Sequence, residues 1–261
     1  MGIAFGYAEA ACRPSGLAER MHTGSHSDSA TIDPDECDAV IFDMDGVLTD
    51  TARVHASAWK QMFDEYLRRA SGDDFEPFDI ETDYKRHVDG KPRYEGVRSF
   101  LASRGLELPE GEPQDPPDRE TVCGLGNRKN ELFLERLRQQ GAERFEDAAD
   151  LVRRLCRAGV RVAVFSASRN APLVLEQAGI RDLFQVRVDG VVAAEAGLQG
   201  KPAPDVLLEA ARRLGVDPRR CAIVEDARAG VEAGRKGGFG RVIGVARKDG
   251  GSSSRRPEPT Q

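Results

Sequence analysis

No uninterrupted apolar stretch in the 261 residues approaches the roughly 20 needed to span a bilayer, so no membrane partner is expected. Cysteine is sparse: Cys12, Cys37, Cys123, Cys156 and Cys221 are odd in number, widely spaced and without a Cys-x-x-Cys pair. That pattern argues against a disulfide frame or a zinc site and suits reduced thiols in the cytosol. Basic charge is also short, with 38 Lys+Arg against 44 Asp+Glu, a formal net charge of −6 and no basic block before the tail. Nucleic acid is therefore not the expected partner. Met1 to Ala11 is mildly apolar but lacks the basic segment of a signal peptide. A soluble cytoplasmic protein is the expectation, and without a heptad seam a monomer is expected.

What is present divides into stretches of different texture. Residues 1–36 are rich in Gly, Ser, Ala and Asp without sustained periodicity, and read as a disordered extension. His22 and His26 lie four apart, but the Thr-Gly-Ser and Ser-Asp-Ser around them oppose a helix that could aim both at one metal. A strand runs from Asp38 to Asp45. Helical periodicity follows over Ala52–Ala70, Tyr94–Arg104 and Asn127–Gln140, with a loop of Pro, Glu, Gly and Asp over Leu106–Arg119.

Beyond Phe145, helices and strands alternate. Helices are expected over Asp147–Ala158, Asn170–Ala178, Pro202–Leu214 and Ala227–Lys236; strands over Val160–Phe165, Phe184–Val188, Cys221–Val224 and Val242–Val245. Alternation of this kind predicts an α/β fold with a Rossmann-like parallel-sheet core covered by helices on both faces. The expected division is a core of 37–53 and 145–247, an inserted α-helical cap of 54–144, and a disordered tail of 248–261.

Four strand ends carry the chemistry. The first strand closes in Asp43-Met-Asp45-Gly46, two carboxylates placed i and i+2 beyond an apolar run. Side chains so spaced on a strand project to one side, at the sheet edge where α/β folds bind ligands. Two such charges resist joint ionisation without a cation, and a hard ion with oxygen ligands, Mg²⁺ above all, meets that need. One carboxylate can then attack phosphorus while the other moves a proton. The plainer reading is an Asp-Gly turn or a helix N-cap.

The second strand ends in Ser166-Ala-Ser168-Arg169-Asn170, a candidate anion site before a helix, or simply a cap. Lys201, in Gly200-Lys-Pro-Ala-Pro-Asp205, can neutralise phosphate or be an ordinary exposed lysine. The strand at Cys221 ends in Glu225-Asp226, two further carboxylates that are costly there without a cation.

Asp-x-Asp, Ser, Lys and an acidic pair, in this order on alternating strand ends, resemble the four motifs of the haloacid dehalogenase (HAD) superfamily of phosphoryl-transfer enzymes. Phe42 to Thr51, His55, Trp59, His87-Val-Asp-Gly-Lys-Pro-Arg93 and Gly124-Leu-Gly-Asn-Arg-Lys-Asn130 extend the likeness to its β-phosphoglucomutase-like subfamily. The resemblance covers about residues 38 to 247. It implies Asp43 as nucleophile, Asp45 as general acid/base, and Mg²⁺ held by Asp43, the Asp45 backbone carbonyl, Asp226 and Glu225. It implies Ser166, Ala167 and Lys201 around the transferring phosphoryl group, and Arg93, Ser168, Arg169 and Asn170 around the other phosphate.

His55, Lys129 and Trp59 would line the closed site from the cap, with Thr51 at the hinge; otherwise His55 is a half-buried helix histidine and Arg93 a solvated surface residue. The implied reaction interconverts β-glucose 1-phosphate and glucose 6-phosphate through glucose 1,6-bisphosphate. A sugar-phosphate phosphatase and a catalytically silent binding domain are the alternatives. Chains of this kind usually continue past Val245 with a further short strand and helix, where this one runs into its Ser/Arg/Pro tail.

Overall fold

The computed structural model describes residues 32, 33 and 35–247. Most of the expected extension, with Cys12, His22 and His26, lies outside the described residues, as does the 248–261 tail. Among the described residues no helix is long and apolar enough to cross a membrane, and Cys37, Cys123, Cys156 and Cys221 are free thiols.

Five strands form one parallel sheet: β1 (Ala39–Asp43), β2 (Arg161–Phe165), β3 (Val186–Val188), β4 (Cys221–Glu225) and β5 (Arg241–Gly244). Their spatial order is β3-β2-β1-β4-β5. The chain moves outward on one side of β1 and then crosses to the other, which leaves a crevice at the C-terminal end of β1, where doubly wound folds bind ligands. β1 is buried along its whole length, and its alternation feeds two cores. Val40 and Phe42 face one cluster, Ala39 and Ile41 the other.

Helices α4 (Glu146–Arg157), α5 (Ala171–Gln177), α6 (Gly190–Glu195), α7 (Asp205–Leu214) and α8 (Arg228–Lys236) accompany the sheet. Between β1 and β2 lie α1 (Ala52–Ser71), a wide π-type helix (Ile80–Val88), α2 (Arg93–Ser103) and α3 (Val122–Gln140), with no strand among them. This inserted half packs on aromatic rings. Phe63 stacks on Trp59 at 5.3 Å and meets Phe78 and Phe100 at 5.2 and 4.1 Å, and burying rings of this size contributes on the order of 2–3 kcal/mol each.

Four elements depart from expectation. The π-type helix and α6 were not anticipated. α3 begins at Val122 rather than Asn127, because Thr121 caps it by accepting from the Gly124 N–H. α7 begins at Asp205 rather than Pro202, since the residues before it form a turn closed by the Ala203 N–H donating to the Gly200 carbonyl.

Candidate active site

Sheet register sets the floor of the site. Asp43 pairs with Phe165, and Phe42 with Val224, so Asp43, Ser166 and Glu225 end adjacent strands at nearly one level. After Asp43 the chain turns sharply: the Gly46 N–H donates to the Thr49 carbonyl at 2.8 Å, and Gly46 sits at φ 85°. A Cβ there would overlap the Asp226 carboxylate, so this turn is where the ends of β1 and β4 close on each other.

Buried Lys201 donates to Asp43 Oδ1 at 2.6 Å and to Glu225 Oε1. Burial alone would depress its ammonium, but Asp43 and Glu225 outweigh that and hold it above the usual lysine value. Glu225 accepts from the Ala227 N–H through its other oxygen, and helix α8 lies so close at Gly230 that a Cβ there would strike the Glu225 carboxylate. Both Glu225 oxygens are thus engaged.

One oxygen from each of Asp43, Glu225 and Asp226 lies within 4.8 Å of the others. Lys201 supplies a single positive charge against these three carboxylates. Burial, only partly offset by Lys201, pushes Asp43 well above the carboxylate range. Loss of hydration at the crowded sheet edge, followed by the charges of Asp43 and Glu225, does the same to Asp226, although the residue remains exposed. An oxygen-lined cluster short of positive charge fits a hard divalent cation.

Asp45 has different surroundings. Burial would raise it, but His55 and the hydroxyls of Thr51 and Ser166 hold its carboxyl at about 2. Ser166 Oγ donates to Oδ2 at 3.1 Å, and Thr51 donates to Oδ1. His55 Nε2 lies 3.4 Å from Oδ1 without making a hydrogen bond. Its Nδ1 is 2.6 Å from Lys129 Nζ. Burial, then Lys129, lowers His55 below its ordinary value; burial brings Lys129 down to about 7. His55 stacks on Phe133 at 4.1 Å, and Lys129 Nζ stands 5.1 Å from the rings of both Trp59 and Phe133.

A cavity of about 290 Å³ lies between sheet and insert, at the low end of the roughly 300–1,000 Å³ of small-ligand pockets. Asp43, Asp45, Ser166, Ala167, Lys201 and Asp226 line it from the sheet, as do Ser168, Arg169 and Asn170. His55, Trp59, Arg93 and Lys129 line it from the insert. Thr51 and Glu225 do not: they stand behind Asp45 and Lys201.

The two halves touch across the cavity rim. Asn170 Nδ2 donates to Asn130 Oδ1 at 2.7 Å. A Cβ on Gly90 would lie 3.5 Å from Lys201 Cδ, and one on Gly200 would lie 3.1 Å from Pro92 Cδ. Arg93, one residue further on, has a buried Nε without a hydrogen-bond partner.

The sequence reading did not single out Tyr84, Asp89 or Tyr94, which also line the cavity. Burial raises Tyr84 well above its usual phenol range and also raises Asp89. Asp89 was detectable only as a member of the His87–Arg93 stretch, and Tyr94 only as the start of the helix expected after it. Tyr84 carried no signal.

The chain belongs to the haloacid dehalogenase-like hydrolase family, which matches residues 37–238, and within it is a β-phosphoglucomutase-like enzyme. It is 49% identical over 217 residues to a β-phosphoglucomutase of Mycobacterium bovis, covering 82% of this chain and 83% of that protein. It is 34% identical over 201 residues to a β-phosphoglucomutase of Bacillus subtilis, covering 77% and 80%. The fold matches a solved β-phosphoglucomutase of Clostridium difficile with a TM-score of 0.64 at 24% identity, over 81% of this chain and 85% of that one.

Proposed function

We propose that the protein is a Mg²⁺-dependent phosphomutase that interconverts β-D-glucose 1-phosphate and glucose 6-phosphate through glucose 1,6-bisphosphate. Residues 37–53 and 145–247 form the core and 54–144 a cap over it. The observation that carries this reading is the second cationic post: Arg93, with its unpartnered Nε, shares one cavity with Asp43 on the opposite wall. A hydrolase needs a single phosphate post, whereas a mutase holds a bisphosphate in either orientation and needs two. Arg suits the second through its planar fork of donors.

Asp43 is the nucleophile. Its carboxylate oxygen attacks a phosphorus of glucose 1,6-bisphosphate, the bond from phosphorus to the sugar oxygen breaks, that oxygen takes the proton carried by Asp45, and an aspartyl phosphate remains. Asp45, ionised at neutral pH, takes the proton of the incoming sugar hydroxyl as that oxygen attacks the aspartyl phosphate, and returns it to the oxygen released in the reverse transfer. In a cycle that begins from the aspartyl phosphate the base step precedes the acid step, so the proton that Asp45 gives is the one it took from the sugar hydroxyl. Ser166 and Lys201 hold the transferring phosphoryl group. Mg²⁺ would be held by Asp43, Asp226 and the Asp45 carbonyl, with Glu225 behind them fixing Lys201; bound there, it would neutralise charge on the phosphoryl oxygens.

The test is incubation with Mg²⁺, β-glucose 1-phosphate and a trace of glucose 1,6-bisphosphate, following glucose 6-phosphate and free phosphate together. Glucose 6-phosphate in large excess is expected. Free phosphate alone assigns a phosphatase, and neither product from the folded protein assigns a silent domain.

A further inference from the structure

The Gly124–Asn130 stretch of α3 does more than deliver Lys129. Asn127 Nδ2 donates to the carbonyls of Pro113 and Asp115, at 3.0 and 2.8 Å, and so ties the proline-rich loop to the helix. The loop is closed on itself. Asp115, nearly fully buried, accepts from Thr121 Oγ1 at 2.7 Å, Arg119 at 2.8 Å and the Glu112 N–H at 3.1 Å. Its ends are pinned where the Val122 and Cys123 N–H groups donate to the carbonyls of Pro109 and Glu110.

The other end of the Asn127 side chain faces the cavity rim. Its Oδ1 accepts from the Tyr94 hydroxyl at 3.0 Å. The Tyr94 ring comes close to α3 because position 126 is glycine; a Cβ there would sit 2.6 Å from Tyr94 Cδ1. On that ring rests Arg93, its Cζ 5.1 Å from the ring centroid, within the range of cation–π attraction. Among the described residues the Arg93 side chain is otherwise bonded only by a long 3.5 Å contact from Nη2 to the same hydroxyl.

From this chain of contacts we infer that the Pro109–Thr121 loop is a brace for Arg93, acting through Asn127 and Tyr94. Both are positioning residues for the phosphate that sits away from Asp43. The inference rests on the reading of Arg93 as the second phosphate post. A free arginine side chain holds many rotamers, and ordering it on binding costs affinity; the stacked ring removes most of that freedom beforehand. The loop thus becomes part of substrate recognition although nothing places it against the sugar.

The test separates this inference from the one beneath it. In an Asp43→Asn background, which removes turnover, calorimetry measures the affinity for glucose 1,6-bisphosphate with Mg²⁺ present. Arg93→Ala should weaken binding by about tenfold or more, and an unchanged affinity would remove the second post and the brace with it. Given that loss, Tyr94→Leu should weaken binding about fivefold, and Asn127→Ala and Gly126→Ala about threefold each. None should add to the loss already caused by Arg93→Ala. Tyr94→Phe keeps the ring and removes only the hydroxyl, with its contacts to Asn127, the Pro113 carbonyl and Arg93 Nη2, so it should fold normally and cost about twofold. If Arg93→Ala weakens binding while Tyr94→Leu leaves it unchanged, or if the two losses simply add, the brace is overturned and the function proposed above stands.

Discussion

The two walls of the cavity hold their charged groups by different means. On the sheet wall, backbone register places Asp43, Ser166 and Glu225 on adjacent strands, and buried ion pairs lock them. On the insert wall His55, Lys129 and Arg93 lie against rings: His55 and Lys129 on Phe133, Lys129 on Trp59, Arg93 on Tyr94. The first arrangement fixes reacting atoms within a rigid frame. The second orients side chains through weak contacts of about 0.5–2 kcal/mol each, which suits groups that must accept a substrate in two orientations. Substitutions on the sheet wall should therefore abolish chemistry, and those on the insert wall should change affinity or partition.

The sharpest expected contrast is Asp43→Asn. It should lower both phosphoryl transfer and hydrolysis by on the order of 10⁴-fold or more, and turnover near the parent rate would sink the nucleophile assignment. Gly46→Ala attacks the same wall through the backbone, forcing a Cβ onto Asp226 at a positive φ. It should cost about 100-fold in activity and about 1–3 kcal/mol of stability, read from steady-state rates and urea midpoints. A harmless alanine there would show that the turn does not hold Asp226.

Arg93→Ala should behave otherwise: the KM for β-glucose 1-phosphate should rise roughly 10- to 100-fold. Hydrolysis of acetyl phosphate, a small donor that needs only the Asp43 side, should change little. Equal losses on both substrates would erase the distinction between the walls.

The smallest effect concerns Lys129. Its folded value of about 7 lies below the ordinary 10.5, so the unfolded chain binds the extra proton between those limits and stability rises with pH across that window. Below pH 7 both states are protonated and the full cost of the buried charge is present. Lys129→Met should therefore raise the unfolding midpoint more at pH 6 than at pH 9. A gain independent of pH would mean that the ammonium is not strained by burial.

The two walls also differed in how far they could be read from sequence. Asp43, Asp45, Ser166 and Asp226 were legible because a parallel sheet brings every strand's C-terminal end to one edge, whatever the helices do; Lys201 follows α6 rather than a strand and was legible from its place in the order of motifs. On the insert, a helical period tells which face is apolar but not how helices cross, so nothing in the sequence brought Tyr84 into the cavity. The early start of α3 was hidden by Gly124 and Gly126, poor helix formers that are explained only by what they touch, the Arg119 carbonyl and the Tyr94 ring. The short α6 is capped by Asp189, which accepts from the Val191 and Val192 N–H groups; in sequence that aspartate reads only as the residue after a strand.

The close passage of Gly90 over Lys201 and of Gly200 beside Pro92 sets a length scale for the whole molecule. At each point a glycine on one wall meets a side chain of the other, the Lys201 stem or the Pro92 ring, so the gap there is one side chain thick. A methyl group added at Gly200 would act as a shim. Its thickness would be felt least at that edge and most at the far end of the cavity, where the sugar must meet both phosphate posts at once.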